Sequence, residues 1–120
     1  MSKILVVDDS RTMRMIVKRT LRQAGFGDHE ITEAEHGQDA LEQISDSVPD
    51  LILSDWNMPV MDGLELLQAL NEQGSEVKFG FVTSEGTPEM RSKANQAGAL
   101  FLIAKPFTAF TFEQTLTGML

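Results

Sequence analysis

Five short apolar runs, each followed by a stretch of helical spacing, constrain this chain more than any other feature. The runs fall at Lys3 to Val7, His29 to Glu33, Leu51 to Ser54, Lys78 to Thr83 and Leu100 to Ala104, several of them rich in Val, Ile and Phe. Strand and helix alternating five times predict an α/β domain with a parallel sheet and helices on both faces, because each crossover between parallel strands is right-handed. A length of 120 residues is the usual size of one domain, enough to bury about two thirds of the unfolded surface. The whole chain, 1–120, is therefore read as a single domain with no linker, repeat or low-complexity tract.

The helical stretches differ in strength. The first places Met13, Ile16, Val17, Thr20 and Leu21 on one face, with Gly25 available for a left-handed cap. The second, near Gln38 to Ser45, turns Ala40, Leu41 and Ile44 inward, and the third uses Leu64, Leu67 and Leu70 after the turn residues Asp62-Gly63. A fourth, from about Pro88 to Ala97, has only Met90, Ala94 and Ala97 as its stripe, and Pro88 suits a first helical turn. The last begins near Thr108 and offers Phe112, Leu116 and Met119 to the core.

Composition removes several function classes. A net charge of −8 speaks against wrapping nucleic acid, which needs clustered Lys and Arg, and no polybasic run attracts the chain to an anionic membrane. With no cysteine there are neither disulfides nor thiol chemistry, as fits a reducing cytosol. Met1-Ser2-Lys3 passes straight into an apolar run too short for a signal-peptide core or a membrane span. The expectation is a soluble, cytoplasmic monomer.

Polar groups gather at one sheet edge. The strands end in Asp8-Asp9, Asp55, Thr83-Ser84 and Lys105-Pro106, and α/β folds place their ligands at the carboxyl ends of their strands. Carboxylates that close repel and raise one another's pKa unless a cation joins them, so the cluster calls for a hard divalent metal and a lysine. Mg²⁺, with Mn²⁺ as a substitute, prefers a few carboxylates plus a carbonyl and keeps several waters; Asp9, Asp55 and the main chain of Asn57 would bind it, with Asp8 holding a water. Each feature also has a plainer reading. Asp9 or Ser10 is suited to cap the helix starting near Arg11, Thr83-Ser84 to form a turn, and Lys105 to lie in solvent. Recurrence at successive strand ends favours a site.

Leu5-Val6-Val7-Asp8-Asp9, Asp55 through Gly63, Thr83-Ser84-Glu85 and Lys105-Pro106-Phe107 resemble the signature of the receiver domains of bacterial two-component response regulators, above all those of the chemotaxis type. The likeness spans essentially the whole chain. It implies a flavodoxin-like sheet in strand order 2-1-3-4-5, Asp55 as phosphoacceptor, Thr83 and Lys105 as partners of the phosphoryl group, and a cis Lys105-Pro106 bond. It also implies a histidine kinase as donor, and a downstream protein target bound through a surface formed by the fourth helix, fifth strand and fifth helix. The charge chemistry agrees: a carboxylate approaching a phosphoryl group meets like charge, which Mg²⁺ and Lys105 would cancel.

One departure stands out. Many receivers carry Tyr or Phe three residues before the lysine, a side chain that swings inward on activation; here Leu102 stands there, and Phe101 faces the other side of the strand. Weaker coupling of switch to output would suit a phosphorelay intermediate passing its group to a phosphotransfer protein, or a phosphate sink. An aspartyl-phosphate phosphatase would place a second Asp two residues after its nucleophile, where Asn57 cannot transfer protons, so a signalling protein is favoured over a turnover enzyme. A flavin-binding protein of this fold would carry a Ser, Thr and Gly-rich first loop where Asp8-Asp9 stands. Trp56 is read as covering its loop, and His29 and His36 as surface or turn residues without catalytic partners.

Overall fold

The computed structural model describes residues 2–120; the reading of Met1 lies outside them. In chain order the elements are β1 (Lys3–Val7), α1 (Arg11–Leu21), β2 (Glu30–Ala34), α2 (Gly37–Asp46), β3 (Leu51–Ser54), α3 (Gly63–Glu72), β4 (Lys78–Thr83), α4 (Pro88–Gln96), β5 (Phe101–Ala104) and α5 (Ala109–Leu116). The five strands form one parallel sheet in the order β2-β1-β3-β4-β5, as the resemblance implied.

Alternation along the strands divides the core into two layers. Ile4, Val6, Leu51, Leu53, Val82 and Ile103 face α1 and α5, where Val17, Leu21, Phe112 and Leu116 close over them. Leu5, Val7, Ile52, Phe79, Phe81 and Leu102 face the opposite way, packing with residues of α2, α3 and α4 such as Ile44, Leu66, Leu70 and Ala94. The central strands are apolar on both faces because both are covered, which is why their sequences read as continuous hydrophobic runs.

Most helix starts are fixed by a side-chain cap. Ser10, Asp62, Thr87 and Thr108 each accept from a backbone N–H three residues on, and Asp62 with Glu65 completes a reciprocal capping box. His36 caps α2 through Nδ1, 3.2 Å from the Asp39 amide, and His29 Nδ1 accepts from Ser2 N at 2.9 Å. The end of α1 widens into a π-helical turn, Arg22–Phe26, in which Gly25 takes φ 98°, the left-handed conformation anticipated for it.

Several expectations shift. Strand β2 starts at Glu30 rather than His29 and continues to Ala34, which pairs with Val7; β5 starts at Phe101, although Leu100 N still bonds Phe79 O at 2.8 Å. Ile16, expected inward, is exposed, and Arg14 occupies the inward stripe with Val17 and Leu21. Leu66, left out of the expected α3 stripe, is fully buried, whereas Leu41 and Leu64 are only half-buried.

Candidate functional site

Register brings the acidic residues together. Val7 lies opposite Ser54 across β1 and β3, so Asp8 and Asp55 leave the sheet side by side, and Asp55 N donates to Val7 O at 2.8 Å. Thr83 lies opposite Ala104, and Lys105 N donates to Thr83 O at 2.8 Å, which places the lysine at the end of the neighbouring strand pair. Its side chain reaches back across the sheet edge: Lys105 Nζ is 3.3 Å from Asp8 Oδ2 and 3.4 Å from Asp55 Oδ2. The Lys105-Pro106 peptide is cis.

One carboxylate oxygen from each of Asp8, Asp9 and Asp55 lies within 4.8 Å of the other two. Their environments differ. Asp8 is buried, and that burial pushes its carboxyl above the usual value against the Ser10 amide and the Lys105 ammonium, which favour its ionised form; nearby Asp55 adds to the rise. Asp55 is held by the Trp56 amide, 2.7 Å from Oδ1, and leaves Oδ2 toward the lysine. Asp9 is exposed, and Ser10 does the capping of α1, so the plainer reading of Asp9 as a cap does not hold. The one ammonium reaches Asp8 and Asp55 and leaves Asp9 to solvent, and the all-oxygen donor set of the three carboxylates fits a hard divalent cation. The Asn57 side chain turns to Glu85, 3.4 Å from Oε1, which leaves its main-chain carbonyl as the group with which it would bind such a cation.

Backbone constraints hold the loop that follows Asp55. A Cβ on Gly63 would lie 2.2 Å from the Asp55 carbonyl oxygen, and Gly63 N donates to Trp56 O at 2.8 Å; only glycine lets the start of α3 come so close. The Trp56 ring is buried in the core, with its centroid 4.6 Å from that of Phe81. Thr83 is fully buried, and its hydroxyl accepts a long bond of 3.4 Å from Glu85 N.

Residues 4–117 match the response regulator receiver domain. The chain belongs to that family. It is 40% identical over 116 residues to "Chemotaxis protein CheY-3" of Vibrio cholerae, covering 95% of this chain and 88% of the relative, and 38% identical over 121 residues to "Chemotaxis protein CheY1" of Helicobacter pylori, covering 98% and 96%. Among solved structures, chemotaxis protein CheY4 of Vibrio cholerae superposes with a TM-score of 0.87 at 36% identity over 100% of this chain and 99% of that one. The receiver is thus CheY-like, a component of two-component signalling by phosphorylation, and its fold is the flavodoxin-like one shared with those relatives. No helix of the described residues is long and apolar enough to cross a membrane.

Arg14 and Glu33 were not singled out from sequence, and Gly63 was read there only as a turn residue and the end of a motif. The buried Arg14 guanidinium donates to Asp8 O at 2.6 Å and to Glu33 Oε1 at 2.9 Å, and Lys18 reaches the other Glu33 oxygen at 3.1 Å. Partial burial would raise the Glu33 carboxyl, but the Arg14 and Lys18 hydrogen bonds outweigh it and hold the group below its usual value. The signal for Arg14 was present: positions 14, 17 and 21 share one helix stripe, and Val17 and Leu21 are core residues.

Proposed function

We propose that this receiver takes a phosphoryl group from a histidine kinase onto Asp55 in a Mg²⁺-dependent reaction and passes the resulting change to a protein target, in chemotaxis-type signalling. The observation that carries this reading is the Lys105 ammonium within 3.4 Å of both Asp8 and Asp55 at converging strand ends. The cation would be held by Asp9, Asp55 and the Asn57 carbonyl, with Asp8 on one of its waters, and would screen charge on the transferring oxygens.

Each side chain then has a role. An Asp55 oxygen forms the new bond to phosphorus as the bond from phosphorus to the kinase histidine nitrogen breaks, and the imidazole leaves with its electron pair. The Trp56 amide fixes the Asp55 carboxylate in one orientation before attack. Lys105 follows the negative charge from the carboxylates to the phosphoryl oxygens, and Thr83 donates its hydroxyl to one of them. Asn57 and Glu85, hydrogen-bonded to each other two residues after Asp55 and Thr83, would assist the attacking water and so set the lifetime of the acyl phosphate. With no second aspartate at position 57, slow loss of the group suits a signal better than turnover.

One observation favours a second reading. Leu102 is already buried against the core, so an inward swing would bury little more of it. A phosphorelay intermediate or phosphate sink needs no such movement. The test begins with Asp55→Asn, which abolishes labelling by a kinase and by small acyl phosphates in Mg²⁺; full, stable labelling of that variant at another residue refutes the assignment. Rapid passage of the group from labelled protein to a histidine phosphotransfer protein, without target binding, selects the relay.

A further inference from the structure

Leu102 cannot carry the aromatic coupling of many receivers, yet α4, the loop before it and β5 are joined by another side chain. Arg91, in the first turns of α4, donates from Nε to Gly86 O at 3.2 Å and from Nη1 to Leu102 O at 3.1 Å. Gly86 belongs to the loop that leaves Thr83, and Leu102 lies in β5, the edge strand whose outer carbonyls have no neighbouring strand. A planar guanidinium offers two donors in fixed directions, so it bridges two carbonyls where an ammonium would serve one. The fit is close: a Cβ built on Gly86 would lie 3.1 Å from Arg91 Nη2, 3.2 Å from the Ala104 Cβ and 3.6 Å from a Leu102 methyl.

The direction of this bridge matters. In the sheet β4 lies between β3, which ends at Asp55, and β5. The Thr83 hydroxyl accepts from Glu85 N and keeps its hydrogen free for a phosphoryl oxygen on Asp55; a shift of Thr83 and residues 84–86 toward β3 would bring it there and carry the loop away from β5. The Gly86 and Leu102 carbonyls then separate, and one guanidinium cannot keep both. We propose that Arg91 is a positioning residue that latches the loop after β4 to the edge of β5 in the unphosphorylated protein, and that release of this latch couples phosphorylation of Asp55 to the α4 and β5 surface. The inference rests on the reading of Asp55 and Thr83 given above.

An interaction present only in the resting state opposes the active one, so removing it shifts the equilibrium by its own worth. Beryllofluoride, which stands in for the phosphoryl group, is titrated with saturating Mg²⁺ into the parent protein, Arg91→Ala, Arg91→Lys and Gly86→Ala, with Trp56 emission as readout. The three variants are expected to bind it about three- to tenfold more tightly, the effect of one or two ordinary hydrogen bonds. Mg²⁺ affinity without beryllofluoride stays at the parental value, and amide exchange over residues 84–87 becomes faster in the resting state. A merely structural arginine would lower thermal stability and leave the beryllofluoride affinity unchanged, which would overturn the latch. Parental behaviour of Arg91→Lys would also overturn it, since charge rather than bridging would then be responsible. Failure of the parent to bind beryllofluoride at all would remove the phosphoacceptor reading, and the latch with it.

Discussion

Val60 is the residue most visibly held against its own preference. It is a β-branched residue at φ 69°, and Met61 N donates to Pro59 O at 2.7 Å, closing a three-residue turn around it. The turn persists because both its sides are pinned: Met61 O accepts from Gly37 N at 3.1 Å, and Gly63 is pressed against the Asp55 carbonyl. Strain of this kind costs about 1–3 kcal/mol. Val60→Gly removes it, less the entropy that glycine adds to the unfolded chain, and is expected to stabilise the protein by about 1 kcal/mol in urea unfolding. A lower midpoint at unchanged slope would show that the valine is not strained. Asp8 is costly in a different way, because burial raises its carboxyl above 3.8, its usual value. The folded state then binds a proton that the unfolded state has released, so ionising Asp8 lowers stability as pH rises from the unfolded to the folded pKa, and the full penalty remains above that window. Asp8→Asn is therefore expected to melt higher than the parent without metal at neutral pH, by about 0.5–2 kcal/mol, with the advantage vanishing at pH below 3.8. Equal melting at pH 7 would mean that Lys105 already offsets the burial.

At the scale of elements, what the sequence made legible depended on whether local pattern alone decided the outcome. The central strands were readable because double burial makes each a compact apolar run, and the start of α3 because the turn residues Asp62-Gly63 precede its apolar stripe; the capping box of Asp62 and Glu65 was seen only in the structure. That capping box yields a prediction: Asp62→Ala loses the 2.8 Å bond from Glu65 N and should cost about 1 kcal/mol, while leaving labelling of Asp55 intact. Loss of labelling together with stability would instead show that the cap also shapes the pocket. What pattern could not supply was partnership between distant elements. Arg14 faces inward because Asp8 O and Glu33 satisfy its guanidinium, and nothing near position 14 announces a glutamate on β2. Ile16 consequently faces solvent despite its hydrophobicity. Gly63 and Val60 follow from how tightly one loop is drawn around Asp55, a distance that no spacing in the chain encodes. For the pocket, Asp8, Asp9, Asp55 and Lys105 were legible as strand ends, and the sheet brings all four together.

Across the whole molecule, charge and stability act through the same pocket. The chain carries a net charge of −8, and three of its carboxylates crowd together with one ammonium on two of them, so the metal-free fold bears a repulsion that its other acidic residues, mostly spread over the surface, do not impose. A cation that binds only the folded arrangement stabilises it by mass action, about 2.7 kcal/mol at a hundredfold excess over its dissociation constant. For a domain of 120 residues this corresponds to a rise in melting temperature of about 10 °C. The rise should be far larger with MgCl₂ than with NaCl of equal ionic strength, since screening relieves dispersed surface charge and does little for a partly buried cluster. Asp9→Asn removes an exposed carboxylate that neither caps α1 nor packs in the core, so it should leave the metal-free melting temperature near that of the parent and abolish most of the Mg²⁺ increment. Calorimetric scans of the two proteins in both salts decide the matter. Equal increments in MgCl₂ and NaCl, or an undiminished Mg²⁺ increment in Asp9→Asn, would mean that the acidic edge of the sheet relaxes by general screening and that Asp9 binds no ion.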